Sequence, residues 1–114
     1  PLARVLPVGL YGIDDRIESP EGVVPAVSMP EHPIMKDIPQ SWPYFLGYNK
    51  LEPGDGDILM ACQEDPFLSI RQFGKGRVAA FASDCSPHWA PTNFINWEYY
   101  PRFWDQLVIW LANK

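Results

Sequence analysis

The sequence predicts an α/β domain, because it combines short apolar strands with one amphipathic helix. Residues 57–62 form an apolar run of buried-strand length, and residues 67–73 alternate as a strand does. The C-terminal segment repeats apolar residues at three- and four-residue spacing, which is typical of a helix. Thirteen Pro among 114 residues favour short elements over long helices.

The first half of the chain predicts three extended segments and one helical turn. Residues 3–8 and 23–27 are apolar and partly β-branched, and each indicates a short strand. Residues 42–51 are rich in aromatic side chains and favour a third strand. Residues 31–38 predict one helical turn, with His32 as a cap or surface residue at its start.

The second half predicts a turn, a hairpin and a closing helix. Residues 52–56 form a turn by composition. The Gly-Lys-Gly run at 74–76 favours a tight hairpin between the 67–73 strand and an apolar strand over 77–82. The apolar character of this last strand predicts a place in the sheet interior. The helix is expected to begin within 97–101, and its wide apolar stripe predicts that it is well covered.

The charge distribution argues against nucleic-acid and membrane partners. The net charge is −5, and the basic residues are scattered, whereas phosphate recognition needs grouped Lys and Arg. No apolar run reaches the roughly 20 residues that span a bilayer, and no signal peptide is recognisable. We therefore expect a cytoplasmic protein that binds neither nucleic acid nor membrane.

A polar loop is expected over residues 12–22, and its acidic side chains are the candidate ligands for a metal ion. They are Asp14, Asp15, Glu18 and Glu21. Arg16 lies among them, and their spacing is not that of an EF-hand loop. A solvated loop is the better interpretation, so we expect no metal and no cofactor.

Two cysteines, Cys62 and Cys85, are too few for a disulfide scaffold and do not form a metal-binding motif. Cys85 follows Asp84, and a neighbouring carboxylate disfavours the thiolate that a nucleophile requires. We expect both cysteines to be reduced and to act as small packing residues.

Several short motifs, taken together, resemble one known family. They are Asp65-Pro66-Phe67-Leu68, Phe73-Gly74-Lys75-Gly76-Arg77-Val78, Asp84-Cys85-Ser86-Pro87-His88-Trp89, Trp97 and Phe103-Trp104. Upstream, Leu6-Pro7-Val8 and the 14–22 stretch fit the same pattern. The chain resembles the glutamine amidotransferase-like proteins, which are related to class I glutamine amidotransferases and to trehalose-utilisation-type proteins. The resemblance spans nearly the whole chain.

This resemblance implies a flavodoxin-like parallel sheet with flanking helices and a late antiparallel hairpin. It also implies that residues 1–114 are the C-terminal part of a single domain. The elbow that carries the nucleophilic cysteine in amidotransferases would precede Pro1, and neither Cys62 nor Cys85 lies in a Gly-x-Cys-x-Gly setting. The expected partner is the remainder of the domain or another copy of this chain, and a homo-oligomer is expected because unpaired apolar surface favours association.

His88 is the candidate catalytic base, because it follows the 77–82 strand at the carboxyl edge of the sheet, where ligands gather in open α/β folds. In an amidotransferase the imidazole deprotonates a thiol, and a carboxylate orients it. Asp84 and Glu98 are the candidate carboxylates. The family has Glu two residues after this His, whereas this chain has Ala90. The alternative is a loop histidine that hydrogen-bonds to the backbone.

Trp89 and Trp97 flank the His88 loop and are candidates to line a small-molecule pocket. Trp104 and Trp110 lie at helical spacing and are predicted to be core residues. Two functions stay open. The first is a non-catalytic, small-molecule-binding member of the family, which the missing Glu favours. The second is a Cys–His-type amide hydrolase whose nucleophile lies upstream of this chain.

Overall fold

The computed structural model describes residues 2–11 and 15–113 and combines strands with helices, as predicted. All strand pairs within these residues are antiparallel. The elements are α1 Leu2–Val5, β1 Val8–Gly9, β2 Arg16–Val23, β3 Ala26–Val27, a 3-10 turn Pro33–Met35, β4 Phe45–Asn49, β5 Glu52–Pro53, β6 Asp57–Cys62, β7 Asp65–Phe73, β8 Gly76–Phe81, α2 Thr92–Ile95 and α3 Tyr100–Leu111.

The largest sheet has four strands in the order β3-β6-β7-β8. The strands predicted over 57–62 and 67–73 are confirmed as β6 and β7. The predicted tight hairpin is also confirmed, because Phe73 pairs with Gly76 across a two-residue turn. Gly74 starts that turn at φ +60, a conformation that only glycine adopts at little cost.

The prediction that β8 lies in the sheet interior is wrong for the described part of the chain, because β8 is the last strand in the order. Its apolar composition has a different cause. Phe81 packs against Phe103 and Trp104 of α3, with ring centroids 6.2 and 5.2 Å apart. Within the described residues, the apolar side chains of β8 are therefore explained by the helix that covers one face of the strand.

The strand predicted over residues 3–8 is also wrong, since α1 occupies its first part and β1 begins at Val8. The reason is that the backbone carbonyl groups of this segment hydrogen-bond to a side chain. Nη1 of Arg71 donates hydrogen bonds to the carbonyl oxygens of Arg4 and Leu6, at 2.7 and 3.3 Å. A side chain, and not a neighbouring strand, thus satisfies this stretch of backbone.

The turn predicted over residues 52–56 is shorter than expected. Glu52 and Pro53 form β5 and pair with Gly9 and Val8 of β1. Only the Gly54–Gly56 part turns the chain. A side chain at Gly54 would lie 3.0 Å from the backbone of Val8, so the close approach of β1 depends on this glycine.

The polar loop predicted over residues 12–22 is a strand from Arg16 onward, and residues 12–14 lie outside the described part of the chain. The low strand propensity of these polar residues is overridden by pairing with β4, in a register that runs from Arg16 opposite Asn49 to Val23 opposite Phe45. An irregularity between Glu18 and Val23 interrupts the ladder. Glu18 and Glu21 of β2 are exposed while Ser19 and Val23 are buried, as in a half-buried strand.

The closing helix α3 begins at Tyr100, within the predicted window, and buries Phe103 and Leu107. Trp104 and Trp110 pack half-buried against the core, as predicted. Within the described residues α3 is less covered than expected, because Val108 and Ile109 are 60% and 50% exposed. In the described residues α3 packs mainly on β8 and the 3-10 turn, which leaves its outer face open.

No described helix is long and apolar enough to cross a bilayer.

His32 caps the 3-10 turn, which confirms the predicted helical turn and its cap. Its Nδ1 accepts a hydrogen bond from the backbone N–H of Ile34 at 3.1 Å, and its ring meets Trp110 edge-on with centroids 5.9 Å apart. Gln106 of α3 donates to the carbonyl oxygen of Ile34 at 2.6 Å. The turn and the C-terminal part of α3 are therefore joined by one aromatic contact and one hydrogen bond.

Burial lowers the pKa of His32 below its ordinary 6.5, with Asp57 opposing this shift and Arg77 adding to it. Just below pH 6.5 the folded protein therefore binds fewer protons than the unfolded chain, so the free energy of unfolding falls as the pH is lowered. We expect His32→Asn, which keeps a capping acceptor but does not titrate, to lose this part of the pH dependence. Urea unfolding between about pH 5 and pH 7 measures it. Equal pH dependence in the two proteins would contradict the prediction.

Candidate functional site

The loop after β8, residues 82–90, is held against β4 and carries the candidate base. Asn49 donates its backbone N–H to the carbonyl oxygen of Ala82 at 2.7 Å, and Leu46 donates to that of Trp89 at 2.9 Å. Ser83 Oγ donates to the carbonyl oxygen of Gly47 at 2.7 Å. Hydrogen bonds at both ends thus fix a loop that has no strand or helix of its own.

Asp84 and His88 meet within this loop. Oδ2 of Asp84 lies 2.9 Å from Nδ1 of His88 and also accepts the backbone N–H of Trp89 at 3.0 Å. The side chains of Asp84 and His88 are 33% and 68% exposed. With its proton on Nδ1 shared with a carboxylate, the neutral imidazole has its basic lone pair on Nε2. The arrangement can accept a proton from, or hydrogen-bond to, a molecule that approaches from solvent.

Trp89 contacts both members of this pair. The ring of His88 stacks on that of Trp89, with centroids 5.2 Å apart and an interplanar angle of 28°. Trp89 itself is only 6% exposed, and its Nε1–H donates to the carboxylate oxygens of Glu18 at 3.2 and 3.3 Å. The indole of Trp89 therefore packs against the imidazole of His88 and does not offer an exposed face on which a ligand could stack.

The structure brings together three of the five residues that the sequence nominated, namely Asp84, His88 and Trp89. Glu98 instead lines a separate cavity of about 410 Å³ beside α3, and His88 is not among the residues that line this cavity. Trp97 packs into the aromatic core against Trp42, with centroids 4.7 Å apart. Roles for Glu98 and Trp97 in catalysis or binding stay predictions.

The two thiols occupy different environments. Cys62 is 1% exposed, and burial, helped by the nearby Asp65, raises the pKa of its thiol to about 11. Such a thiol packs and does not react at neutral pH, as expected. Cys85 was expected to pack as well, but it is exposed. It lies in the 82–90 loop, where its carbonyl oxygen accepts a hydrogen bond from the hydroxyl of Tyr100 at 2.6 Å.

The acidic candidates for a metal site do not converge. Across residues 2–11 and 15–113, no three His, Cys, Asp or Glu side chains gather in a way that could hold a metal ion. The carboxylate of Glu18 accepts a hydrogen bond from the indole N–H of Trp89. The carbonyl oxygen of Asp15 accepts one from the backbone N–H of Lys50 at 2.9 Å. Asp14 lies outside the described residues.

Sequence reasoning missed Glu18 and Gly47 as parts of the site. The two are paired across β2 and β4, and the indole of Trp89 lies directly over Gly47. A glycine inside an apolar strand was the available signal, because it marks a point where another group approaches the backbone closely. The sequence does not say which group approaches.

A second cavity of about 410 Å³ shares no residue with the 82–90 loop. It is lined by His32, Asp55, Gly56, Asp57, Ile70, Arg71, Gln72 and Trp110. Within it, the guanidinium of Arg71 and the largely exposed carboxylate of Asp55 form a loose ion pair at 3.8 Å. The same guanidinium holds the carbonyl oxygens of Arg4 and Leu6, so it is already engaged in the fold.

Two solved structures are similar to this chain along most of its length. The cytoplasmic protein STM3548 from Salmonella typhimurium is 38% identical, with a TM-score of 0.91. The cytoplasmic protein STM1381 from Salmonella typhimurium LT2 is 40% identical, also with a TM-score of 0.91. Each match covers 96% of this chain but only 45% of the other, so this chain spans less than half the length of either relative.

The chain is an α/β protein, and a family model identifies the class to which it belongs. The model described as "Putative glutamine amidotransferase" matches residues 1–113. The chain belongs to this family, as the motifs around the hairpin and the 82–90 loop indicated. No curated protein matches the chain.

We expect Gly47→Ala to displace Trp89 and to lower the free energy of unfolding by about 1–3 kcal/mol. The added Cβ would lie 2.5 Å from Nε1 of Trp89 and 2.6 Å from the carbonyl oxygen of Ile17. Gly76→Ala is the matched control, because a Cβ there meets only the carbonyl oxygen of Phe73, at 3.6 Å. Urea unfolding and the indole N–H signals of Trp measure both effects. Equal stability of the two variants would refute this packing of the loop.

Proposed function

We propose that this chain supplies half of a small-molecule-binding site in an amidotransferase-like protein and does not itself turn over an amide. The observation that carries the proposal is the exposed imidazole of His88, held at Nδ1 by Asp84 at 2.9 Å and stacked on Trp89. A fixed ring with its Nε2 available to solvent can hydrogen-bond a carbonyl, amide or hydroxyl group of a ligand. Fixing the ring in advance reduces the entropy that binding would otherwise cost.

Burial of Ala90 supports binding without turnover. The resemblance places a Glu two residues after the catalytic His, at the position that Ala90 occupies here. Ala90 is 3% exposed and belongs to the core, so a carboxylate at this point would need a buried partner. At this position the His88 loop therefore has an apolar core contact where the resemblance implies a carboxylate.

A second candidate function is a Cys–His-type amide hydrolase, and the Asp84–His88 distance favours it. In this mechanism Nε2 of His88 takes the proton of a cysteine thiol, and Asp84 stabilises the imidazolium that results. The thiolate then attacks the amide carbonyl, the imidazolium gives its proton to the departing nitrogen, and ammonia leaves. Water then hydrolyses the thioester that remains, which releases the carboxylic acid and restores the thiol. Cys62 is buried at the end of β6, and Cys85, although exposed, lies in the His88 loop and not in a strand-to-helix elbow, so we propose that the thiol comes from another part of the protein.

We further propose that residues 1–114 form the C-terminal part of one flavodoxin-like domain in a cytoplasmic homo-oligomer. The relatives are more than twice as long as this chain, and their names describe them as cytoplasmic. Among the described residues, no strand pairs with the outer edge of β8. An unpaired edge beside an apolar core invites another strand, and the remainder of the domain is the partner we assign to it.

Glutamine is the probe that separates the two functions, with full-length protein, His88→Ala, and His32→Asn as the control at the chain's other histidine. We expect calorimetry to detect glutamine binding that weakens at least about tenfold in His88→Ala and stays unchanged in His32→Asn. No ammonia is expected from any of the three proteins. Ammonia release that disappears only in His88→Ala would instead establish the hydrolase, and absence of both binding and release would reject both functions for glutamine.

Isolated residues 1–114 are expected to self-associate, because the outer edge of β8 and the exposed pair Val108 and Ile109 lack the surface that covers them in the whole domain. Light scattering of the isolated segment and of the full-length protein tests this. A segment that remains monomeric across the concentration range would contradict the assignment of β8 as a pairing edge.

A further inference from the structure

A chain of contacts runs from Glu18 on β2 to the imidazole of His88. The carboxylate of Glu18 accepts the indole N–H of Trp89, and Trp89 contacts both members of the Asp84–His88 pair. We propose that Glu18 is a positioning residue that holds the His88 ring through Trp89. This inference rests on the proposed function of the His88 site, and it assigns a role there to a residue on a different strand.

The β2–β4 register brings Glu18 to the loop. Glu18 lies directly opposite Gly47, with no side chain between them. The indole of Trp89 crosses the strand at this gap, close enough that a Cβ on Gly47 would lie 2.5 Å from Nε1. The indole N–H therefore reaches over β4 to a carboxylate on the neighbouring strand. Any other residue at position 47 would close this path.

Trp89 transmits the constraint to both partners of the pair. Its backbone N–H donates to the same Asp84 oxygen that contacts His88, at 3.0 Å. Its ring lies nearly parallel to the imidazole, at 28°. A rotation of the Trp89 side chain would remove the surface under the imidazole while the Asp84 contact remained, so the ring of His88 would gain freedom about that single hydrogen bond.

The other buried indoles indicate that burial alone does not require a partner of this kind. Nε1 of Trp42 and Nε1 of Trp104 are buried and have no hydrogen-bond partner among the described residues. Trp89 is the buried tryptophan of the loop, and it has a charged acceptor with two oxygens in range. Hydrogen bonds to ionised acceptors are roughly twice as strong as neutral ones. We therefore assign this bond to the orientation of the loop and not to general core stability.

The test uses full-length protein and compares Glu18→Ala, Glu18→Gln and Glu21→Ala. Glu21→Ala is the matched control, since it removes an exposed carboxylate from the same strand. In Glu18→Ala we expect the Trp89 indole N–H to exchange with solvent about tenfold faster, the change that loss of one hydrogen bond produces. The ¹⁵N signals of the His88 ring are expected to shift with it. Glu18→Gln, which keeps an acceptor, should restore most of both, and Glu21→Ala should change neither.

A double-mutant comparison distinguishes an effect transmitted through Trp89 from a general loss of stability in Glu18→Ala. Trp89→Phe keeps a ring under His88 but removes the indole donor. In this background Glu18→Ala should cause no further shift of the His88 signals, although Glu18→Ala alone does. Wild-type His88 signals in Glu18→Ala, or a full additional shift in the Trp89→Phe background, would overturn the proposal. These signals are measured without ligand. The test of the positioning role is therefore independent of the tests of glutamine binding and hydrolysis.

Discussion

The packing of Phe67 in β7 against Phe45 in β4 and Phe81 in β8 is the contact on which the rest of the structure depends. Ring centroids are 5.0 and 5.2 Å apart in these two pairs, and Phe67 is fully buried. Phe45 then meets Phe94 of α2, and Phe81 meets Trp104 of α3. Aromatic pairs of this kind add about 0.5–1.5 kcal/mol each beyond the area that they bury. One ring cluster thus joins two sheets to both C-terminal helices.

This cluster also determines where the candidate site forms. Because Phe45 anchors β4 beside the end of β8, the 82–90 loop folds back along β4 and is tied to Leu46 and Gly47 by hydrogen bonds. The loop needs no regular structure of its own, since its polar backbone groups find partners on an adjacent strand. The imidazole of His88 is contacted by two residues of its own loop, Asp84 and Trp89, and the loop in turn is held by β4 and by Glu18 of β2.

Binding and hydrolysis place different demands on this same imidazole. The proposed binding needs a ring with a fixed orientation and an accessible nitrogen; Asp84 and Trp89 contact the ring, and its side chain is 68% exposed. Hydrolysis needs in addition a thiol within reach of Nε2. Cys62 is excluded by burial and by its raised pKa, and Cys85 lies in the same loop, without the strand-to-helix elbow that exposes a nucleophile. The two proposals therefore differ in whether a thiol reaches Nε2 of His88.

The sequence by itself determined what depends on near neighbours: β6, β7, the hairpin at Gly74, the start of α3, the family resemblance, and His88 with Asp84 four residues away. These follow from periodicity, turn chemistry and short spacing. The tertiary structure alone decided that a polar segment is strand β2, that β8 lies last in its sheet, and that Glu18 meets Trp89. These depend on which distant backbone offers a partner, and a hydrogen bond across 71 positions leaves no local pattern.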